Sequence, residues 1–176
     1  MLPQAASLVQ PDRCPENGFA LAARAGELLR SRGQTLAVAE SCTGGLLGDL
    51  LTDIAGSSDY FLGGVLAYNN TVKAALLGVS TATLAQAGAV SPQCAAEMAQ
   101  GARRLLHSHI ALSVTGIAGP GGGSEAKPVG LTYLHLSAPD QEVGSRHCWN
   151  GDRRTNKQCS AAAALRLLLT YLETVP

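Results

Sequence analysis

The chain has 176 residues, a length that one domain fills. Its 13 basic and 13 acidic residues leave no formal net charge, so no nucleic-acid-binding face is forced on it. Hydrophobic residues make up 46%, enough for a real core, yet no apolar run could span a bilayer and no signal segment opens the chain, so a cytoplasmic protein is expected.

Residues 1–15 carry three prolines and read as a loose leader, with one folded domain over 16–176. Asn17 can cap a helix whose apolar positions recur at helical spacing, and Gly33 ends it. Residues 35–38 are apolar and of strand length. They run into Ala39-Glu40-Ser41-Cys42-Thr43-Gly44-Gly45, after which residues 46–54 take helical spacing until Gly56. Ser41 therefore sits where a strand hands over to a helix, a place that leaves backbone N–H groups free at the helix start. There it could be a nucleophile with a ready oxyanion site, or only a helix cap.

Residues 60–68 read as a second strand, with Gly63-Gly64 marking a bulge. Asn69-Asn70 starts a helix that contains Lys73 and stops at Gly78. A short helix follows over 80–87, and Ser91-Pro92 opens a longer one to about Leu106. Residues 109–115 form a third strand, which empties into the glycine loop 116–123. Strands over 129–137 and 142–149 form an antiparallel pair, and Gly151-Asp152 caps a final helix from Arg153 to about Thr174. Strands alternating with helices predict a three-layer α/β/α sandwich around a mixed, mostly parallel sheet. The five cysteines are scattered without a C-x-x-C pair, so reduced, mostly buried thiols are expected rather than disulfides or zinc.

Common site motifs fail. The glycine loop is neither a Walker A loop, because Lys127 is followed by Pro128, nor a G-x-G-x-x-G fingerprint. No G-x-S-x-G elbow and no S-x-x-K pattern surround Ser41. His107, His109, His135 and His147 lack metal-ligand spacing. A Ser–Lys pairing is what remains. It needs a lysine whose pKa is lowered by burial or by a nearby cation such as Arg153, and taken alone Lys73 reads as a solvated helix lysine. Cys42 reads as a small packed thiol.

Several blocks in order resemble the CinA C-terminal domain family, whose stand-alone members are the PncC nicotinamide mononucleotide deamidases. They are 39–45, Asp53-Ile54-Ala55-Gly56-Ser57-Ser58, Tyr68 with Asn70 and Lys73, Gly88-Ala89-Val90-Ser91, the segment 115–124, Lys127-Pro128-Val129-Gly130 and Gly151-Asp152-Arg153. Where the family often has Tyr-Ser-Asn-Glu, this chain has Tyr68-Asn69-Asn70-Thr71. Longer CinA proteins carry a further N-terminal domain, and its activity is not expected here.

The resemblance implies hydrolysis of the carboxamide of nicotinamide mononucleotide to nicotinate mononucleotide and ammonia, without metal or organic cofactor. It implies Ser41 as nucleophile and Lys73 as general base, with Tyr68, Thr115 and Arg153 around them. Backbone donors of Thr43, Gly44 and Gly45 would hold the oxyanion, and Thr115 would aim Lys73. Asn70, Gly119, Gly121, Gly122 and Arg153 would bind substrate, with Arg153, Lys127 or the glycine loop as candidates for the phosphate. A homodimer or higher homo-oligomer is implied, with no nucleic-acid or membrane partner. The alternative is a non-catalytic nucleotide-binding or regulatory module linked to competence and DNA damage.

Overall fold

The computed structural model describes residues 12–15 and 17–174. Its sheet has five strands in the order β2-β1-β3-β4-β5. The strands are β1 (Leu36–Glu40), β2 (Phe61–Leu66), β3 (Ile110–Gly116), β4 (Leu131–Ser137) and β5 (Glu142–Cys148). β1 pairs in parallel with both β2 and β3, and the β4–β5 hairpin is added antiparallel to β3. The expected mixed sheet with a parallel core is thus present. The register slips by one residue at Leu62, just ahead of the Gly63-Gly64 pair expected to mark a bulge.

Helices cover both faces, which is what a sheet with apolar residues on both sides requires. α1 (Gly18–Ser31), α2 (Leu46–Thr52) and α6 (Arg153–Thr174) bury one face through Leu36, Val38, Ile110 and Leu112. α3 (Asn70–Leu77), α4 (Thr81–Gln86) and α5 (Pro92–Leu106) lie on the other, over Ala37, Ala39 and Ala111. The alanines of β1 let α5 come close, and this second core is mostly small side chains. The capping residues act as their types predict: Asn17, Asn69, Ser80 and Ser91 each accept a backbone N–H at a helix start. Among the described residues, no helix is long and apolar enough to cross a membrane.

Two expectations change. Cys14 and Cys159 form a disulfide across a sequence separation of 145, so not all five thiols are reduced. Cys42, Cys94 and Cys148 are free. Spacing could not announce that bridge, because it depends on where the segment before α1 runs. That segment is not loose over 12–15. Asp12 N donates to Cys148 O at 3.0 Å, and Cys148 N donates to Asp12 Oδ2 at 2.8 Å, which fastens it beside β5. Residues 1–11 of the expected leader lie outside the described residues.

Candidate active site

The parallel strands β1 and β3 end side by side, and their exits meet the start of α3 in one crevice. Ser41 is the first residue past β1. Its N–H donates to Val114 O at 3.0 Å, extending the ladder with β3 and fixing the Ser41 backbone. The chain then turns tightly, with Gly44 N donating to Ser41 O at 3.1 Å. Gly44 and Gly45 take φ of 66° and 97°, backbone that favours glycine.

Glu40 holds this turn from behind. Its carboxylate is 2% exposed and accepts from Gly45 N at 3.0 Å, Leu47 N at 3.1 Å and Gly48 N at 2.8 Å. Of the donors expected to face a ligand, Gly45 N is therefore taken by an acidic side chain of the protein itself, which satisfies the start of α2, and Gly44 N by Ser41 O, while the N–H of Thr43 meets no protein oxygen among the described residues. This corrects the expected role of Gly44 and Gly45, and neither lines the crevice. Thr43 does not line it either: its side chain is fully buried, and Oγ1 has no partner among the described residues. The N–H of Cys42, beside the nucleophile, meets no protein oxygen among the described residues.

Lys73 is 1% exposed, contrary to a solvated helix lysine. Asn69 caps α3, which puts Lys73 in the first turn with its side chain directed back under β1. Nζ lies 3.0 Å from Ser41 Oγ, and donates to Ala67 O at 2.7 Å and Tyr68 O at 3.3 Å. Two hydrogens on these carbonyls leave the third position of the nitrogen aimed at Ser41. Burial lowers the Lys73 pKa, against a smaller opposing effect of the Cys94 and Cys42 sulfurs. Arg153 is not among the causes, so desolvation rather than a neighbouring cation tunes this amine. Burial also pushes the Cys42 thiol up to about 12, which keeps it protonated.

The dyad opens into a cavity of about 280 Å³. Tyr68, Asn70, Thr115, Gly119, Gly121, Gly122 and Arg153 all line it, as expected from sequence. Thr115 does not aim Lys73, however. Its hydroxyl donates to Ala89 O at 2.7 Å and so fixes the opposite wall, where Ala89 and Val90 line the cavity.

The glycine loop after β3 is held by its carbonyls. Asn156 Nδ2 donates to Ala118 O at 3.1 Å, and Arg153 Nη1 donates to Gly119 O at 2.7 Å. Arg153 Nη2 also donates to Tyr68 Oη at 3.1 Å, tying the loop to the end of β2. The N–H groups of Ala118, Gly119, Gly121 and Gly122 meet no protein oxygen among the described residues. Lys127 is not at the cavity; its Nζ donates to Ala87 O at 2.6 Å and Val90 O at 2.8 Å and staples the loop to the segment before α5.

Sequence reasoning missed Glu40 and Asn156. Each is a buried polar residue in an apolar element, and that alone was the available signal.

Comparison with known proteins places the chain in a family. Residues 19–172 match the family model described as the CinA C-terminal domain. A "CinA-like protein" of Nostoc sp. is 52% identical over 169 residues, 90% of this chain and 40% of that protein. A "putative competence-damage inducible protein" of Halothermothrix orenii is 53% identical over 149 residues, 84% of this chain and 36% of that one. The chain thus spans well under half the length of these relatives.

Crystal structures of similar length match as well. The competence/damage inducible protein CihA of Agrobacterium tumefaciens has a TM-score of 0.87 at 39% identity, covering 93% of this chain and 99% of that one. The competence damage-inducible protein A (ComA) of Klebsiella pneumoniae has a TM-score of 0.88 at 34% identity, covering 92% and 100%. With the family model covering nearly every described residue and the fold shared throughout, the chain belongs to the CinA C-terminal domain family.

Proposed function

We propose that this chain is an amidohydrolase that deamidates nicotinamide mononucleotide to nicotinate mononucleotide and ammonia. The observation that carries this reading is the 3.0 Å contact between Ser41 Oγ and the buried Lys73 Nζ at the floor of a small-molecule-sized cavity. A carboxamide on a pyridinium ring suits such a dyad, because the ring withdraws electrons from an otherwise poor electrophile.

Lys73, neutral through burial, accepts the Ser41 proton as Oγ bonds to the carboxamide carbon. The carbonyl oxygen becomes an oxyanion. The N–H groups of Cys42 and Thr43 and those of the loop after β3 are the donors left to stabilise it, since Glu40 occupies that of Gly45. The intermediate collapses with cleavage of the C–N bond, and Lys73 returns its proton to the departing nitrogen, which leaves as ammonia. Water then gives a proton to Lys73 and adds to the ester carbon. Loss of the Ser41 alkoxide, reprotonated by Lys73, yields the carboxylic acid, whose proton passes to solvent to leave the carboxylate. The scheme calls on no metal or organic cofactor.

Incubating the purified chain with nicotinamide mononucleotide tests it. Ammonia and nicotinate mononucleotide are expected in equal amounts. Binding of the nucleotide without ammonia release would instead favour a non-catalytic binding module.

A further inference from the structure

The substrate proposed above carries a phosphate, and the cations first considered for it are otherwise engaged. Lys127 donates to two backbone carbonyls away from the cavity. Arg153 spends two of its five N–H donors, one on each terminal nitrogen, on Gly119 O and Tyr68 Oη, so it acts first as a strut. A second cleft, of about 510 Å³, adjoins the catalytic cavity, and Arg153 lines both. Its remaining lining is Leu46, Asp152, Arg154, Lys157 and Gln158.

Three cations thus face one carboxylate, in a chain with no formal net charge. That carboxylate is engaged too, since Asp152 Oδ1 accepts from Thr155 N at 2.7 Å. Neither Arg154 nor Lys157 lies within ion-pair distance of an acidic group among the described residues.

We infer that Lys157 and Arg154 form the phosphate subsite of this enzyme, in the cleft that joins the catalytic cavity at Arg153. The inference rests on the deamidase reading for the identity of the ligand. Its geometry rests on Lys157. The amine stands over the turn that carries the nucleophile, where a Cβ built on Gly44 would lie 3.3 Å from Nζ. Gly44 N donates to Ser41 O, and in turns so closed the first and fourth Cα atoms are within about 7 Å. A ligand with its carboxamide at Ser41 and its far end turned into this cleft would meet Lys157. A flexible ammonium beside a guanidinium suits a phosphate dianion, the first as a point charge and the second as a fork. Gly44 acquires a reason here as well, because a side chain at that position would crowd Nζ.

The test compares two substrates that differ only in the phosphate, nicotinamide mononucleotide and nicotinamide riboside. In Lys157→Ala and Arg154→Ala, KM for the mononucleotide should rise about tenfold with kcat nearly kept, the size expected for one charged hydrogen bond. The riboside should lose little, and Lys157→Arg should recover most of the mononucleotide KM. Equal losses for both substrates, or an unchanged mononucleotide KM in both variants, would overturn the subsite. A calorimetric titration of nicotinamide mononucleotide into wild type and Lys157→Ala gives an answer independent of turnover. Were no ammonia released by wild type, the deamidase reading alone would fall. The subsite would still stand if Lys157→Ala weakened the titrated affinity, and would fall if it did not.

Discussion

The turn after β1 and the loop after β3 are both rich in glycine and both border the catalytic crevice, yet they use their backbones in opposite ways. In the first, Glu40 takes the N–H groups of Gly45, Leu47 and Gly48, so the backbone is fixed through its donors. In the second, Asn156 and Arg153 take the carbonyls of Ala118 and Gly119, so the backbone is fixed through its acceptors and its donors stay open. Glycine richness therefore reports only that the backbone needs room or a rare conformation. Whether it cradles a ligand depends on which polar side chain of the same molecule reaches it first. The β1 turn holds Ser41 still, and the β3 loop keeps its N–H groups open to the cavity.

The comparison can be broken or sharpened by substitution. Lys73→Met removes the base that the β1 turn serves, and should lower kcat by at least about 10³-fold while the thermal midpoint changes little. The same group sets the pH response of wild type. The neutral amine is the active form, so kcat/KM should climb with pH and level off above the lowered Lys73 pKa, below the ordinary lysine range. A profile falling over that span would contradict the assigned role.

Next in size is Glu40→Gln, which turns one acceptor atom into a donor against backbone N–H groups. About 3 kcal/mol of stability should be lost in urea unfolding, and the kinetic defect should fall on kcat. Asn156→Ala frees Ala118 O and Gly151 N and should cost about 2 kcal/mol, with the defect falling on KM. If Glu40→Gln raised KM and Asn156→Ala lowered kcat, the division of labour between the two segments would be wrong. Tyr68→Phe is the smallest change. Tyr68 is 62% exposed, so loss of its bond to Arg153 should shift KM by about twofold and stability by under about 0.5 kcal/mol.

Much of this was legible in the sequence. Asn69, Gly78 and the Ser91-Pro92 pair bound their helices as the residue types demand, because caps and breakers act through local backbone chemistry. Ser41, Lys73, Tyr68 and Arg153 stood out at strand ends, the resemblance gave them roles, and all four line one cavity. What stayed hidden depends on distant approach. The burial of Lys73 follows from α3 packing against α5 with Nζ turned onto Ser41 and the carbonyls of Ala67 and Tyr68, and helical position alone reads as solvated. Glu40 looked like one more residue at a strand end, since its partners lie five to eight residues ahead around a turn. The role of Thr115 went wrong for the same reason: its acceptor, Ala89 O, belongs to a segment 26 residues earlier.

The Cys14–Cys159 bridge joins the segment ahead of α1 to α6, making most of the domain a covalent ring. A protease that nicks any surface connection inside that ring would not release a fragment. The cut protein should run as one band on a gel until a thiol reductant is added, then separate into two. The ring also carries Ser41 and Lys73, so a nicked molecule keeps both halves of its dyad tethered.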